Sequence, residues 1–245
     1  MPYRVTTMNQ EKLKSLIKLT ESLEYHHSKY QALADFFEIG AIVISQQADL
    51  TNYPPREKRY HEIIKQYNKQ ELDILVKLFA ETWRILTNMT EEGFGDYLGE
   101  LYMQSGTKSE LAGQFFTPYH IAHCMAQMAF SGDDPKLQDI VTLNEPTCGS
   151  GVMVLATADA LWNQYNVNYA RHLFVVATDI DPRCVHMCYI QLSLAGIPAI
   201  IEQRNALTQQ LIDKTWKTPA LMFQWSRFRD YIEGYQKSLE RRTIV

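Results

Sequence analysis

Between residues 140 and 201 the chain repeats one pattern, and that pattern restricts its fold more than anything else in it. An apolar, strand-like run at 140–143 leads through Asn144-Glu145-Pro146-Thr147-Cys148-Gly149-Ser150-Gly151 into an apolar helical stretch over 152–165. A second strand-like run, 173–178, ends at Asp179-Ile180-Asp181. Pro182 then opens a helix that runs to Ala195, with Asp181 as its N-cap and Gly196 as its stop. A third short run, 199–201, ends at Arg204-Asn205-Ala206. The order β-α-β-α-β builds a parallel, doubly wound sheet and brings the C-terminal strand ends to one edge.

The preceding ~130 residues carry almost no strand signal. Leu13, Leu16, Ile17, Leu19 and Leu23 recur at helical spacing, and the apolar run 32–44 predicts a second, buried helix. Pro54-Pro55 breaks the pattern. One long helix is expected from Arg56 to about Thr87, with a basic first part (Arg56, Lys58, Arg59, Lys65, Lys69) that reads as a solvated face or a phosphate-contacting one. Gly93 and Gly95 mark a turn before a short helix at 96–103; residues 104–112 read as a loop, 119–130 as an amphipathic helix behind Pro118, and 131–136 as a turn. Two domains are expected: a helical one over 1–110 and an α/β one over 111–245.

At the expected edge, 145–151, 179–181 and 204–205 converge. A strand, a glycine turn and a helix N-terminus let backbone N–H groups approach a nucleotide-like ligand. An acidic residue ending the second strand suits a ribose diol, because a carboxylate accepts two hydroxyl hydrogen bonds. Asp179 stands 28 residues past Gly151, beyond the ~20 of a dinucleotide site. Val154 occupies the place of that site's third glycine. A pyrophosphate is therefore disfavoured, and an adenosine bearing a cationic group fits the acidic rim better.

With these residues in view, the chain resembles the adenine-N6 DNA methyltransferases, in particular the modification subunits of type I restriction systems and related phage or plasmid methylases. The resemblance rests on Gly113-Gln114-Phe115-Phe116-Thr117-Pro118, Glu145–Gly151 and Asp179-Ile180-Asp181-Pro182 in that order, with Asp96-Tyr97-Leu98-Gly99-Glu100-Leu101-Tyr102 ahead of them, and covers about 94–206. It implies the S-adenosylmethionine (SAM)-dependent methyltransferase sheet, Rossmann-like, behind an all-α N-terminal domain. It also implies SAM as cofactor, DNA as substrate, and a specificity or restriction subunit or a second copy as partner. By the same resemblance Phe115, Phe116, Thr117 and Pro118 would line the methionine end of SAM. Glu145, Pro146, Thr147, Cys148, Gly149 and Gly151 would hold its amino-acid part and sulfur. Asp179 would clamp the ribose, Ile180 would lie against the adenine, and Asn205 would accept from the adenine amine.

The family's chemistry sits in an Asn/Asp-Pro-Pro-Tyr/Phe motif at the end of a fourth strand, where it holds a flipped base. No such tetrapeptide follows Asn205; the region reads Thr215-Trp216-Lys217-Thr218-Pro219-Ala220-Leu221-Met222-Phe223-Gln224-Trp225. Thr218, Pro219 and Trp225 are the candidates left for catalysis. Asn52-Tyr53-Pro54-Pro55 has related residues in another order and reads as a helix-opening turn. The 40 residues after Asn205 leave room for one more strand, expected at 220–225, and a closing helix over 229–242, so the sheet is expected to be truncated. Trp216, Phe223, Trp225 and Phe228 read either as core or as a base-stacking platform.

Composition narrows the remaining classes. Hydrophobic residues at 46% and charged residues at 21% describe a globular protein, and the net charge of −4 argues against a wholly nucleic-acid-binding surface. No apolar run reaches membrane-span length, and a cytoplasmic protein with free thiols at Cys124, Cys148, Cys184 and Cys188 is expected. Neither Cys184, His186 and Cys188 nor His120, His123 and Cys124 has zinc-site spacing, and His26-His27 reads as a solvated helix face. Three readings follow. The chain is a SAM-dependent adenine-N6 DNA methyltransferase, or a catalytically inactive SAM-fold module serving as a binding or regulatory subunit in a restriction-modification or anti-restriction setting, or, with least support, a dinucleotide-dependent oxidoreductase.

Overall fold

The structure is a computed structural model that describes residues 10–23, 28–46, 48–105, 116–130 and 139–242. Its centre is a mixed sheet whose neighbouring strands follow one another in chain order. Strands β1 (Val141–Glu145), β2 (Leu173–Asp179) and β3 (Ala199–Gln203) are parallel, with Asn144 opposite Val176 and Ala177 opposite Ile201. β1 and β3 each run to residues the sequence reading left outside them, because the ladder continues to Glu145–Ala177 and Asp179–Gln203. The expected β-α-β-α-β order is present, with a one-turn helix, α9 (Tyr169–His172), just ahead of β2.

Alternation along β2 and β3 shows why the sheet is covered twice. Val175, Ala177, Ala199 and Ile201 enter a large core with Leu155 and Ala158 of α8 (Val152–Asp159) and Val185, Cys188 and Ile190 of α10 (Pro182–Leu194). Phe174, Val176 and Ile200 point the other way, against Leu221, Phe228 and Ile232. The last two belong to α12 (Trp225–Arg242). β2 is thus buried on both faces, as a central parallel strand is, whereas β1 at its side leaves Thr142 and Asn144 exposed. Each fully buried large apolar side chain contributes roughly 1.5–3 kcal/mol.

Helices α1 (Gln10–Glu21), α2 (Lys29–Ser45), α3 (Tyr53–Ile64), α4 (Lys69–Thr87), α5 (Met89–Glu92) and α6 (Tyr97–Gln104) form the helical region. Their buried residues, among them Phe36, Phe37, Ile63, Leu78 and Tyr102, belong to the same core that backs the sheet. The division expected at residue 110 falls outside the described residues, and this core runs across it in sequence. The loop at 104–112, the turn at 131–136 and His26-His27 fall wholly or largely outside them too. α7 (Tyr119–Ala129) starts behind Pro118 as expected and packs on α8. Among the described residues no helix is long and apolar enough to cross a membrane.

Two elements correct the sequence reading. The helix expected over 56–87 is broken between Ile64 and Lys69. Asn68 there forms a reciprocal capping box with Glu71, so a strong N-cap starts a new helix inside an unbroken apolar period. The strand expected at 220–225 is instead helix α11 (Pro219–Phe223), because Pro219 sets the first helical turn and a short apolar run fits either state. β4 lies earlier, at Trp216–Lys217, and pairs antiparallel with β3. The closing helix starts at Trp225, four residues before its expected 229.

β4 is clamped from the helical side. Arg56, expected on a solvated or phosphate-contacting face, is buried with its guanidinium 3.7 Å above the Trp216 ring. Its Nη1 donates to Asp49 at 2.8 Å and its Nη2 to the Thr215 carbonyl at 3.2 Å. Arg59 is engaged as well, making two hydrogen bonds to Glu38. His186 of α10 meets the Trp216 ring edge-on, and burial pushes its pKa down to about 4 from 6.5. The unfolded chain therefore takes up this proton below about pH 6.5 while the folded one does not until about pH 4, so stability falls as pH drops through that window. The loss attributable to His186 is about 3 kcal/mol at its fullest. Urea unfolding at pH 7 and pH 4.5 should show a smaller acid loss in His186→Leu than in the wild type. Equal losses would contradict a buried neutral imidazole.

Candidate functional site

The site is built where β1 and β2 end. After Glu145 the chain turns through Gly149 (φ 53°) and Gly151 (φ 99°), backbone angles that favour glycine, and enters α8. The turn is tied to β2 at three points. The Cys148 amide donates to the Thr178 carbonyl at 2.8 Å, the Thr178 hydroxyl to the Pro146 carbonyl at 2.9 Å, and the Gly149 amide to Asp179 Oδ2 at 2.9 Å. The Gly151 amide closes the turn on the Cys148 carbonyl at 2.8 Å.

Asp179 ends β2 with its other oxygen, Oδ1, accepting from the Asp181 amide at 3.0 Å. Burial raises its pKa, while the Asp181 and Gly149 amides hold it down. The Ile180 amide adds to the same pull, and a carboxylate's roughly four acceptor positions still leave it able to receive hydroxyl groups. Ile180 beside it is 57% exposed, a large apolar side chain presented to solvent at a strand end. Asp181 caps α10 through the Arg183 amide and pairs with the Arg183 guanidinium. Glu145 folds back on its own turn, Oε1 accepting from the Thr147 amide at 3.3 Å.

Phe116 reaches this edge from before α7. A Cβ at residue 149 would lie 3.2 Å from the Phe116 ring, and that ring stacks on Tyr102 with centroids 5.9 Å apart. Gly149, Asp179 and Phe116 are therefore brought together. Phe115 lies outside the described residues. Thr117, Pro146 and Thr147 are exposed; Pro118, also exposed, takes the N-cap position of α7. Cys148 is buried, and its contact with Cys188 followed by burial pushes its thiol well above the ordinary range. A thiolate is thereby disfavoured.

Asn205 sits just past β3, but its Oδ1 accepts from the Leu207 and Thr208 amides at 2.9 and 3.0 Å, so it shapes its own loop. The aromatic residues at 216–228 do not form one platform. Trp216 is buried in the main core, Phe228 is buried in the core of the opposite face, and Phe223 is 76% exposed. Trp225 opens α12, half-buried, with the Lys217 ammonium 5.1 Å above its ring. Pro219 opens α11.

Sequence reasoning did not single out three buried polar residues behind the turn, Asp96, Ser150 and Gln191. Asp96 just ahead of a short helical run carries an N-cap signal, but nothing local marks Gln191 as its partner. A cavity of about 500 Å³, lined by Arg56, Pro182, His186 and Trp216 among others, includes no residue of the turn and neither Asp179 nor Ile180. Among the described residues no group of three or more metal-ligating side chains is arranged to hold an ion.

Comparison with known proteins places these features in context. A family model described as N-6 DNA methylase matches residues 91–225. A solved structure from Listeria monocytogenes, assigned as a class I S-adenosylmethionine-dependent methyltransferase, superposes with a TM-score of 0.39 at 17% identity, covering 75% of this chain and 56% of that one. A type I restriction-modification system methyltransferase subunit from Streptococcus thermophilus superposes with a TM-score of 0.44 at 12% identity, covering 86% of this chain and 61% of that one. The chain thus spans less than two thirds of the length of either structure. No curated protein matches it.

Thr218, one of the residues left for catalysis, is fully buried. Its hydroxyl donates to the Ile197 carbonyl at 2.8 Å and accepts from the Ala199 amide at 2.9 Å, stapling the start of β3. Thr218→Val should cost about 1–3 kcal/mol of unfolding free energy, because it strands a buried amide and carbonyl. Unchanged stability in urea would contradict this staple.

Proposed function

This chain belongs to the N-6 DNA methylase family, whose model takes in more than half of it, and on that footing we propose that it binds SAM at the β1–β2 edge and takes part in methyl transfer to the N6 of adenine in DNA. The observation that carries the proposal is the convergence of a bare glycine turn, an acidic strand end and an aromatic ring on one edge. Phe116 and the Cys148–Gly151 turn would hold the amino-acid end of SAM, Asp179 the ribose hydroxyls, and exposed Ile180 the adenine. Glu145 and Asp179 give the edge a negative rim suited to a cationic sulfonium and opposed to a pyrophosphate, whereas Asp181 is neutralised by Arg183. Asn205, with its Oδ1 taken up by its own loop, is left out of these contacts.

SAM supplies an activated methyl group on sulfur, and the chain's own residues bind and orient it. A flipped adenine must be held for its nitrogen to meet that methyl. The family motif for that task does not follow Asn205, and Trp216 and Phe228 are buried. These observations favour a second reading, in which the chain binds SAM as a subunit. A specificity or restriction subunit, or a second copy, would then supply the contacts to the base.

Calorimetry decides the cofactor. SAM is expected to bind and NAD is not, and Asp179→Ala should weaken SAM through loss of hydrogen bonds worth roughly 1.5–3 kcal/mol each. Absence of SAM binding, or tighter NAD binding, would falsify the assignment. Transfer of labelled methyl from SAM to unmethylated DNA separates the two readings: incorporation supports the enzyme, and binding without incorporation supports the subunit.

A further inference from the structure

Behind the 145–151 turn lies a group of buried polar side chains that the proposed cofactor contacts do not use. Ser150, between the two positive-φ glycines, is fully buried, and its hydroxyl donates to Asp96 Oδ2 at 2.5 Å. Asp96 caps α6 from the helical region, its Oδ1 accepting from the Gly99 amide at 3.0 Å and from Gln191 Nε2 at 2.7 Å. Gln191, within α10, also donates to the Ser150 carbonyl at 2.8 Å and accepts from the Leu98 amide at 3.2 Å. Each polar atom of the Gln191 side chain is used. At residue 99 a Cβ would overlap the Asp96 carboxylate, so the glycine and the carboxylate's orientation imply each other.

Capping α6 uses only the Gly99 amide, so it does not by itself account for a carboxylate that also accepts from Ser150 and Gln191. A buried charge is costly unless compensated, and each of Asp96's hydrogen-bond donors is neutral. Burial accordingly drives its pKa up, against the pull of Ser150, Gln191 and Gly99. Well-packed apolar side chains in place of the whole group could join α6 to α10 at lower cost, whereas an apolar side chain at 96 alone would strand the Ser150, Gln191 and Gly99 donors. It could not accept the Ser150 hydroxyl, and Ser150 is the one residue between two glycines whose freedom the turn must otherwise restrain.

We infer that Asp96 is a positioning residue: acting through Ser150 and Gln191, it holds the Cys148–Gly151 turn in shape, so that the helical region sets the geometry of the site. The consequence for SAM rests on the function proposed above; the consequence for the turn does not.

Amide hydrogen exchange on the unliganded full chain tests the turn directly. Asp96→Asn places a donor amide among donors. Ser150→Thr and Ser150→Val fill nearly the same space and differ in the hydroxyl, so their comparison removes the steric effect. The Gly149 and Gly151 amides should exchange at least tenfold faster in Asp96→Asn than in the wild type, and in Ser150→Val than in Ser150→Thr. The Val175 and Ala177 amides within β2 should keep their rates. Equal exchange in the turn, or the same acceleration in β2, would overturn the inference, the latter by showing general loosening. If Asp96→Asn does not fold, the Ser150 pair decides alone. In calorimetry, SAM should bind Ser150→Val at least fivefold more weakly than Ser150→Thr, and equal affinities would count against the link to the cofactor. Should the wild type bind no SAM, the functional proposal fails while the exchange rates still decide the role of Asp96.

Discussion

A central parallel strand has to be covered on both faces, and much of this structure follows from that constraint. β2 is the strand through which it acts, since Val175 and Ala177 face one core while Phe174 and Val176 face the other. On the first side α8 and α10 share the core with the helical region, α2 packing on α10. On the second side α12 supplies Phe228 and Ile232. The helical region is therefore part of the same packing problem as the sheet. It shares its core with the strands and reaches the turn through Asp96.

The same arrangement concentrates polar groups where the strands end. Helices occupy the faces, so the C-terminal edge is where backbone amides and carboxylates come together. Asp179 shows the result: backbone amides bind it, yet its burial raises its pKa, so the site holds a carboxylate that benefits from further hydrogen-bond donors. A hydroxyl-rich, cationic ligand answers both needs, which is the physical content of the link between this edge and SAM.

Much of this was legible in the sequence because it was local. The two apolar runs before Glu145 and Asp179, the N-cap at Asp181 and the stop at Gly196 each specify an element within a few residues, and the parallel order follows from their succession. Phe116 against Gly149 was legible through resemblance, since nothing in the spacing of residues 116 and 149 requires contact. The failures were of two kinds. At Asn68 a capping box cut a helix whose apolar period ran on, and at Pro219 a short apolar run chose helix over strand. The other kind was long-range: the stack of Arg56 on Trp216 and the bond between Gln191 and Asp96 join residues far apart in the chain, and periodicity carries no information about such pairs.

The central claim is that the ligand sits on the β1–β2 edge. Titration of isotope-labelled protein with SAM, followed by amide chemical shifts, tests it most directly. The account predicts that the largest changes fall on Gly149, Gly151, Asp179 and Ile180. Changes centred instead on the Arg56–His186–Trp216 cavity, or no changes at all, would contradict it.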